Sequence, residues 1–508
     1  MGGGDFLLGI DLGAGSLKAT IIGLDGRLAG EGSHPVATSI PKFGWSEQDP
    51  EEWYGALCRA VPAALSAARI DPKAIAAIGV SGGAHIPVLA DDAGKVLRPA
   101  IMWNDQRSAK EARALHEEAG DLIVARSLNR ANPTWTLAML KWLQAHEPEV
   151  VARTKRLYLC KDYLRSRLTG SWETDYSDAL GALLADDATR SWSPELCALI
   201  DWPLERLPPV VKPSDIVGAV TARAASDSGL AAGTPVVCGA NDTTVELFGA
   251  GAVRPGMGAI KLATAGVLFL ATDGPSVNPP ISCYPHIVEG LYYTATGTNS
   301  CASAHRWLRD RFFLDGDDEG AGARAFTEMD RLAGATTPGS DGLLFHPYLQ
   351  GERAPYWDPL LRADFIGATM SHGRGHFARA LYEGIAYSIR DLLEAARALG
   401  LSFGEIRLLG GGARSAVWRQ IIADVTGLTI ERPGNGDASF GAALIAGIGA
   451  GIYRDPEAAV ARCVTIVDRS EPDAARHALH GELFAVYKEA QAALAPLNHR
   501  LHAIVDRS

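Results

Sequence analysis

The 508-residue chain has few features that would set it apart from an ordinary globular protein. Seven cysteines stand at 58, 160, 197, 238, 283, 301 and 463, with no C-x-x-C pair and no zinc-ligand spacing. Reduced thiols explain them better than disulfides or a metal site. Excess positive charge is also missing: the formal charge is −11, which argues against a non-specific nucleic-acid binder. No basic stretch followed by an apolar core opens the sequence, so no signal peptide is expected. Phe6 stands where a myristoylation motif wants Ser or Thr. The most apolar late run, Phe440 to Ile452, is short for a membrane span and rich in Gly and Ala, and it reads as a tightly packed buried helix. A cytoplasmic protein with no membrane or nucleic-acid partner is the expectation.

Two familiar nucleotide motifs are absent from the glycine turn near the start, LGIDLGAGSLKATIIGLDG (8–26). Gly13-x-Gly15 lacks the third glycine of a dinucleotide fingerprint, and the residues after it are strand-like. No G-x-x-x-x-G-K-[ST] occurs there, so it is not a P-loop. The turn consists instead of an apolar strand that delivers Asp11, then a second strand leading to an Asp25-Gly26 hairpin turn. Gly13 and Gly15 are expected to adopt backbone conformations closed to other residues. Exposed backbone N–H groups, Ser16 and Lys18 beside one carboxylate suit a phosphate and its metal. A plain hairpin is the other reading. This turn resembles the nucleotide-binding turn of the actin, Hsp70 and sugar-kinase superfamily.

The length calls for two or three domains, and 47% hydrophobic with 21% charged residues is ordinary for a globular chain. Ala259 to Thr272 repeats the design of the first turn: apolar strand, Ala263-Thr264-Ala265-Gly266, apolar strand, Asp-Gly. Two such units half a chain apart predict a duplicated α/β architecture with a cleft between halves and a hinge in Gly249 to Gly258. A strand is expected over Ala74 to Val80. Helices are expected over Asp49 to Ala68, Arg374 to Ala398 and, on the surface, Pro472 to Ala495. Residues 310 to 340, rich in Gly, Ala and charge, read as a surface excursion.

Four loops come after strand-like runs, where sites of α/β folds gather. Asp242 ends a strand before Thr243 and Thr244. It can take the proton of a substrate hydroxyl, work typically worth roughly 10²–10⁴-fold, or it can cap a helix. His85 can hydrogen-bond a polyol or sit on the surface. Trp103 is a core aromatic or a wall for a sugar's C–H face. Asp105 and Arg107 could pair with each other, worth only about 0–1 kcal/mol at a surface. Three glycines, 410 to 412, precede a helix starting near Ser415. They let a flat or anionic ligand approach the backbone, or make a plain tight turn. Asp11 reads as a metal or phosphate-side acid, or as a turn residue.

Six segments extend the likeness: GWSEQDPEEWY (44–54), LRPAIMWNDQRS (97–108), KDYLRSRLTG (161–170), TDYSDALG (174–181), YLQGERAPYWDP (348–359) and GGGARSAVWRQIIADV (410–425). From about Leu7 to Gly451 the chain resembles the FGGY carbohydrate kinase family, its xylulokinase branch most of all. The resemblance implies an α/β fold of two ribonuclease H-like domains of the actin/Hsp70/sugar-kinase superfamily flanking a catalytic cleft. Residues 1–253 would form the sugar-binding and phosphate-turn domain, and 254–508 the ATP-binding domain. It implies ATP and Mg²⁺ as cofactors, with in-line transfer of the γ-phosphoryl to a ketopentose hydroxyl. Asp242 would be the general base and would also touch the sugar, and Asp11 would help hold Mg²⁺. Gly13, Ser16 and Lys18 would face the phosphates, with Thr264 and Gly266 as the second phosphate turn. Gly411, Gly412 and Ala413 would lie against the adenosine with Asn435 nearby. Ala84, His85, Trp103 and Asp105 would be sugar-side residues. Dimers are common in the family, so a homodimer is the assembly implied.

The departures bear on the substrate. Gly83-Ala84-His85 stands where xylulokinases carry Gln-Met-His, so the wall before the sugar is enlarged. The second turn usually reads Gly-Thr-Ser-Gly and here loses one hydroxyl and one flexible residue. Met139 replaces a common lysine. D-xylulose is the default acceptor. Ribulose, erythritol, glycerol or a related polyol are alternatives, as is a catalytically silent sugar-sensing homologue.

Overall fold

The computed structural model describes residues 4–505 apart from 279, 315 and 317–319. The chain divides into two compact units. The first comprises Met1–Arg254, Ala271–Thr294 and Asn435–Thr465; the second comprises Pro255–Leu270, Ala295–Gly434 and Ile466–Ser508. Their first boundary lies one residue beyond the cut expected after 253, inside the Gly249 to Gly258 stretch. Ala271–Thr294 and Asn435–Thr465, which a single cut gives to the second half, belong to the first unit.

The first unit is built on a mixed sheet. Its order is Ile216–Ala219, Pro235–Val237, Ile75–Gly82, Phe6–Leu12, Ser16–Gly23 and Leu28–Pro35. Phe6–Leu12 is apolar almost throughout because both of its faces are covered. Leu8, Ile10 and Leu12 share a core with Trp53 and Leu57 of the helix Pro50–Ala68. Leu7 packs instead with Phe440 and Leu444 of the helix Ala438–Gly449. Pro50–Ala68 starts where expected, capped by the Asp49 carboxylate, which accepts from Glu51 N, with Pro50 in its first turn. The buried helix expected over Phe440 to Ile452 is Ala438–Gly449. Its small residues are explained by backbone contact: a Cβ on Gly9 would come within 1.8 Å of Ser439 O, and one on Gly79 within 2.1 Å of Ala442 O.

The second unit repeats the first unit's pattern. Gly258–Leu262 pairs antiparallel with Gly266–Asp273 across a hairpin and parallel with Ile406–Leu409, beside which lie Ile430–Pro433 and Ile466–Ser470. The long helix spans Arg374–Ala398, as expected. Its Tyr382 stacks on Trp418 at 4.9 Å in a core with Ile385, Ile422 and Tyr487.

Two expectations are corrected here. Within 310 to 340, the helix Ala321–Ala335 is no surface excursion, because Ala325, Met329 and Ala333 are buried in the core of the second unit; positions 315 and 317–319 lie outside the described residues. The closing helix runs Ala474–Val505, beyond 495 and through Pro496. It is also more than a surface helix: Phe484 and Tyr487 belong to the core, and Tyr387 and His480 share a 2.8 Å hydrogen bond.

All seven cysteines are free thiols. Among the described residues no helix is long and apolar enough to cross a membrane.

Candidate active site

Strand register in the first unit brings the sequence candidates to one edge of the sheet. Phe6–Leu12 runs parallel to Ile75–Gly82, with Asp11 opposite Ser81 and Leu12 opposite Gly82. On the other side of that central strand the short strand Ala240–Asn241 is also parallel, with Ala240 opposite Ser81 and Asn241 opposite Gly82. Two strand spacings separate Asp11 from Ala240, about 10 Å. Three chain segments therefore leave the sheet at its carboxyl edge side by side: the turn after Asp11, the loop Gly83 to His85, and the helix that begins at Asp242. That edge is where open α/β sheets place their ligands.

Asp242 occupies the first position of the helix Asp242–Gly249, and the cap is its neighbour. Asn241 Oδ1 accepts from Thr244 N at 3.0 Å and from Thr243 Oγ1 at 2.9 Å. The N-cap position therefore belongs to Asn241, and the half-buried Asp242 carboxylate, one residue further on, accepts from Thr243 N at 2.8 Å. The Tyr293 hydroxyl braces the first turn from 2.7 Å at Thr243 Oγ1 and 3.0 Å at Thr244 Oγ1.

His85 is buried, not on the surface, with 6% of its area exposed. Its backbone is left-handed, φ 49°, a conformation that costs a non-glycine residue about 1 kcal/mol or more. Two bonds lock it there: His85 N donates to Asp178 Oδ1 at 2.8 Å, and His85 O accepts from Thr136 Oγ1 at 2.7 Å. The imidazole stacks on Trp135 at 4.6 Å, and burial lowers its pKa to about 3. It is therefore a neutral hydrogen-bonding group at working pH, unsuited to proton transfer. Ala84 beside it is half-buried.

Other first-unit candidates fare differently. Neither Gly13 nor Gly15 adopts a positive φ, which corrects the conformational argument for both. The turn is closed by Gly13 N donating to Ser16 O at 3.0 Å and held from behind by Gln48 Nε2 on Ala14 O at 2.7 Å. Gly15 has open space where a side chain would stand, so its use is room above the backbone. Ser16 is exposed at the same turn. Lys18 does not point free into it: its ammonium lies 2.5 Å from Glu31 and 2.6 Å from Asp437, which caps the helix Ala438–Gly449. Trp103 is half exposed and so is no core aromatic.

Asp105 is a correction. It is 1% exposed, and its carboxylate accepts from Ser46 N, Arg107 N and the Arg107 guanidinium. Arg107 is equally buried, also meets Glu47 at 2.7 Å and covers Trp45 at 3.8 Å. The pair is an internal brace rather than a surface pair or a sugar ligand.

In the second unit, Thr264 is exposed at the tip of the hairpin and Gly266 is buried. Thr264 Oγ1 accepts from Arg306 Nη2 at 3.1 Å. The sequence reading missed this cation, because nothing in its spacing ties position 306 to the turn. The three glycines separate by role. Gly410 has φ +85°, with Leu262 O 2.5 Å from where a Cβ would lie, and a Cβ on Gly412 would meet Trp418 at 2.7 Å. Only Gly411 is exposed with empty space above it. Ala413 is 2% exposed and packs in the core, so its side chain faces no ligand. Asn435 belongs to the first unit, where its side chain donates to Gly26 O at 3.4 Å.

Among the described residues no three His, Cys, Asp or Glu side chains gather to hold a metal. One carboxylate, Asp11, beside an open glycine turn fits Mg²⁺ all the same, since that ion keeps several waters and takes other ligands from phosphate oxygens.

Family models and solved structures match the chain over most of its length. The N-terminal domain of the FGGY family of carbohydrate kinases matches residues 6–249, and its C-terminal domain matches 259–450. The xylulose kinase of Bacillus subtilis (strain 168) is 31% identical over 499 residues, covering 98% of each chain. That of Escherichia coli (strain K12) is 31% identical, covering 96% of this chain and 99% of its own. The crystal structure of xylulose kinase from Rhodospirillum rubrum superposes with a TM-score of 0.87 at 30% identity, covering 97% of this chain and all of that one.

Proposed function

This chain belongs to the FGGY family of carbohydrate kinases, and we propose that it transfers the γ-phosphoryl group of Mg·ATP to a hydroxyl of D-xylulose, giving xylulose 5-phosphate. The observation that carries the reading is the placement of Asp242. It begins a helix whose cap is supplied by Asn241, at the sheet edge it shares with Asp11 and the His85 loop. A carboxylate at such an edge, one residue past the helix cap, is suited to take a proton from a sugar hydroxyl. The 31% identity to two xylulose kinases over nearly their whole length supports the choice of ketopentose.

Phosphoryl transfer asks mainly for positioning and for stabilisation of spread charge. Asp242 accepts the hydroxyl proton as the oxygen attacks in line. His85, held neutral and fixed through Asp178 and Thr136, hydrogen-bonds the acceptor, with Ala84 and Trp103 as sugar-side wall. The turn Gly13 to Ser16 offers backbone N–H groups to the phosphates. Asp11 would hold Mg²⁺ with phosphate oxygens and water, and the ion supplies charge neutralisation when bound. In the second unit Thr264 and Gly266 form the other phosphate turn, where the Arg306 guanidinium adds a cation. Gly411 gives the nucleoside an approach to the backbone, with Gly412 packed behind it in the same turn, and Asn435 is a nucleotide-side residue of the first unit. The chain acts on small molecules in the cytoplasm.

The half-buried Ala84 favours a second reading in which another acceptor, such as ribulose, erythritol or glycerol, fills the enlarged wall. An ADP-release screen of ketoses and polyols with Mg·ATP separates the two. D-xylulose should give the highest kcat/KM. A higher value for another sugar would replace the substrate, and no turnover with any would leave only a sugar-sensing protein.

A further inference from the structure

The helix Cys160–Thr169 comes directly after the strand Arg156–Leu159, and its first turns carry Lys161, Asp162 and Arg165, all fully buried. A buried lysine with no partner would lose its charge. Lys161 keeps it, with its pKa held well above the usual value: burial opposes the charge, but the Asp162 and Asp175 carboxylates beside it favour it. Its Nζ lies 2.6 Å from Asp162, 3.0 Å from Asp175 and 3.6 Å from Asp178. Removing such ions from water costs several kcal/mol each, and apolar residues of like volume would often be as stable.

Two arms lead out from this ammonium. One passes through Asp178, whose Oδ1 holds the His85 backbone N–H at 2.8 Å. The other passes through Asp175, which accepts from the Ser177 N–H at 2.8 Å and from its hydroxyl. Ser177 Oγ in turn accepts from Asn241 Nδ2 at 3.2 Å, and Asn241 caps the helix begun by Asp242. The arms thus end at the sugar-side loop and at the residue before the base.

We propose that Lys161 is a positioning residue that sets the separation between His85 and Asp242, so that the acceptor hydroxyl held by one lies within reach of the other. The inference rests on the reading of Asp242 as base and His85 as sugar-side residue. One buried ammonium packed against two carboxyl groups, each of which holds a hydrogen-bonded group of its own, supplies what an apolar core cannot, a set spacing between those groups. Misplacing reacting groups by about 1 Å can cost on the order of 100-fold.

Steady-state kinetics and melting temperature on the full chain test this through each arm separately. Ser177→Ala cuts the arm to Asn241 and should lower kcat about tenfold with the sugar KM within about twofold. Asp178→Ala cuts the arm to His85 and should raise the sugar KM about fivefold with kcat largely kept. Lys161→Met should do both, with the KM for ATP unchanged in all three. If Lys161→Met does not fold, the single-arm variants decide. Melting shifts in Ser177→Ala and Asp178→Ala without that division between kcat and KM would overturn the proposal. Asp242→Asn, measured alongside, keeps the failures apart. Turnover retained in it defeats the base reading, whereas a silent Asp242→Asn beside a wild-type Ser177→Ala defeats only the positioning role.

Discussion

Asp178→Asn should gain stability relative to the unaltered chain as pH rises from about 6 to 8. The Asp178 carboxyl is fully buried, and burial raises its pKa from 3.8 to about 8; Lys161 opposes the rise, and Asp175 and Asp162 add to it. Lys161 and Asp162 face it from the helix Cys160–Thr169, Asp175 from the strand before its own helix, and the His85 N–H from the loop. Proton counting sets the sign. Between about pH 4 and 8 the folded chain keeps a proton on Asp178 that the unfolded chain has lost, so the group's contribution falls as pH rises and levels off above about 8. At about 1.4 kcal/mol per pKa unit, the part lost between pH 6 and 8 is roughly 2 kcal/mol. Asparagine cannot ionise, yet its carbonyl still accepts from His85 N–H, so the arm survives while the titration disappears. Urea unfolding of both proteins at pH 6 and 8 reads the difference. The stability difference between the two should shift toward Asp178→Asn by roughly 2 kcal/mol over that interval. An equal margin at both pH values would refute the assignment of a native-state proton to Asp178.

Two other perturbations test separate parts of the account. Arg107→Met leaves the buried carboxylates of Asp105 and Glu47 without their shared guanidinium. It should cost about 3–5 kcal/mol by chemical denaturation, and a loss under about 1 kcal/mol, the surface-pair range, would contradict a buried brace. Arg306→Ala should lower kcat/KM for ATP by roughly 10–100-fold, the loss of one charge-assisted bond of about 1.5–3 kcal/mol. The sugar KM should stay put, and unchanged ATP kinetics would remove Arg306 from the phosphate turn.

The features legible in the sequence rest on physical signals of short range. Asp-Pro before an apolar-periodic run located the helix Pro50–Ala68, and its period carried Arg374–Ala398. Two strand-turn-strand segments announced the repeated sheet design. Asp11, His85 and Asp242 were legible because each comes after a strand-like run, and parallel pairing then sets strand ends side by side. The features that escaped depend on distant parts of the chain. Nothing local tells that Lys161 is encircled by Asp162, Asp175 and Asp178, or that Arg306 reaches Thr264. Lys18 reads as a free ammonium until Asp437, far along the chain, caps a helix beside it. The glycines misled in a different way. At Gly13 and Gly15 the lack of a side chain gives room, not an unusual backbone, whereas Gly410 does need its positive φ. Asp105 and Ala413 matched their motifs, yet both are consumed by packing.

The central claim is that the Asp242 carboxylate takes the acceptor proton, and kcat of Asp242→Asn with saturating D-xylulose and Mg·ATP tests it most directly. Asparagine preserves shape and hydrogen bonding while removing the base, so kcat should fall by roughly 10²–10⁴-fold, with sugar binding by calorimetry nearly unchanged. A variant that phosphorylates the sugar within about tenfold of the wild-type rate, below the usual contribution of a general base, would contradict the account.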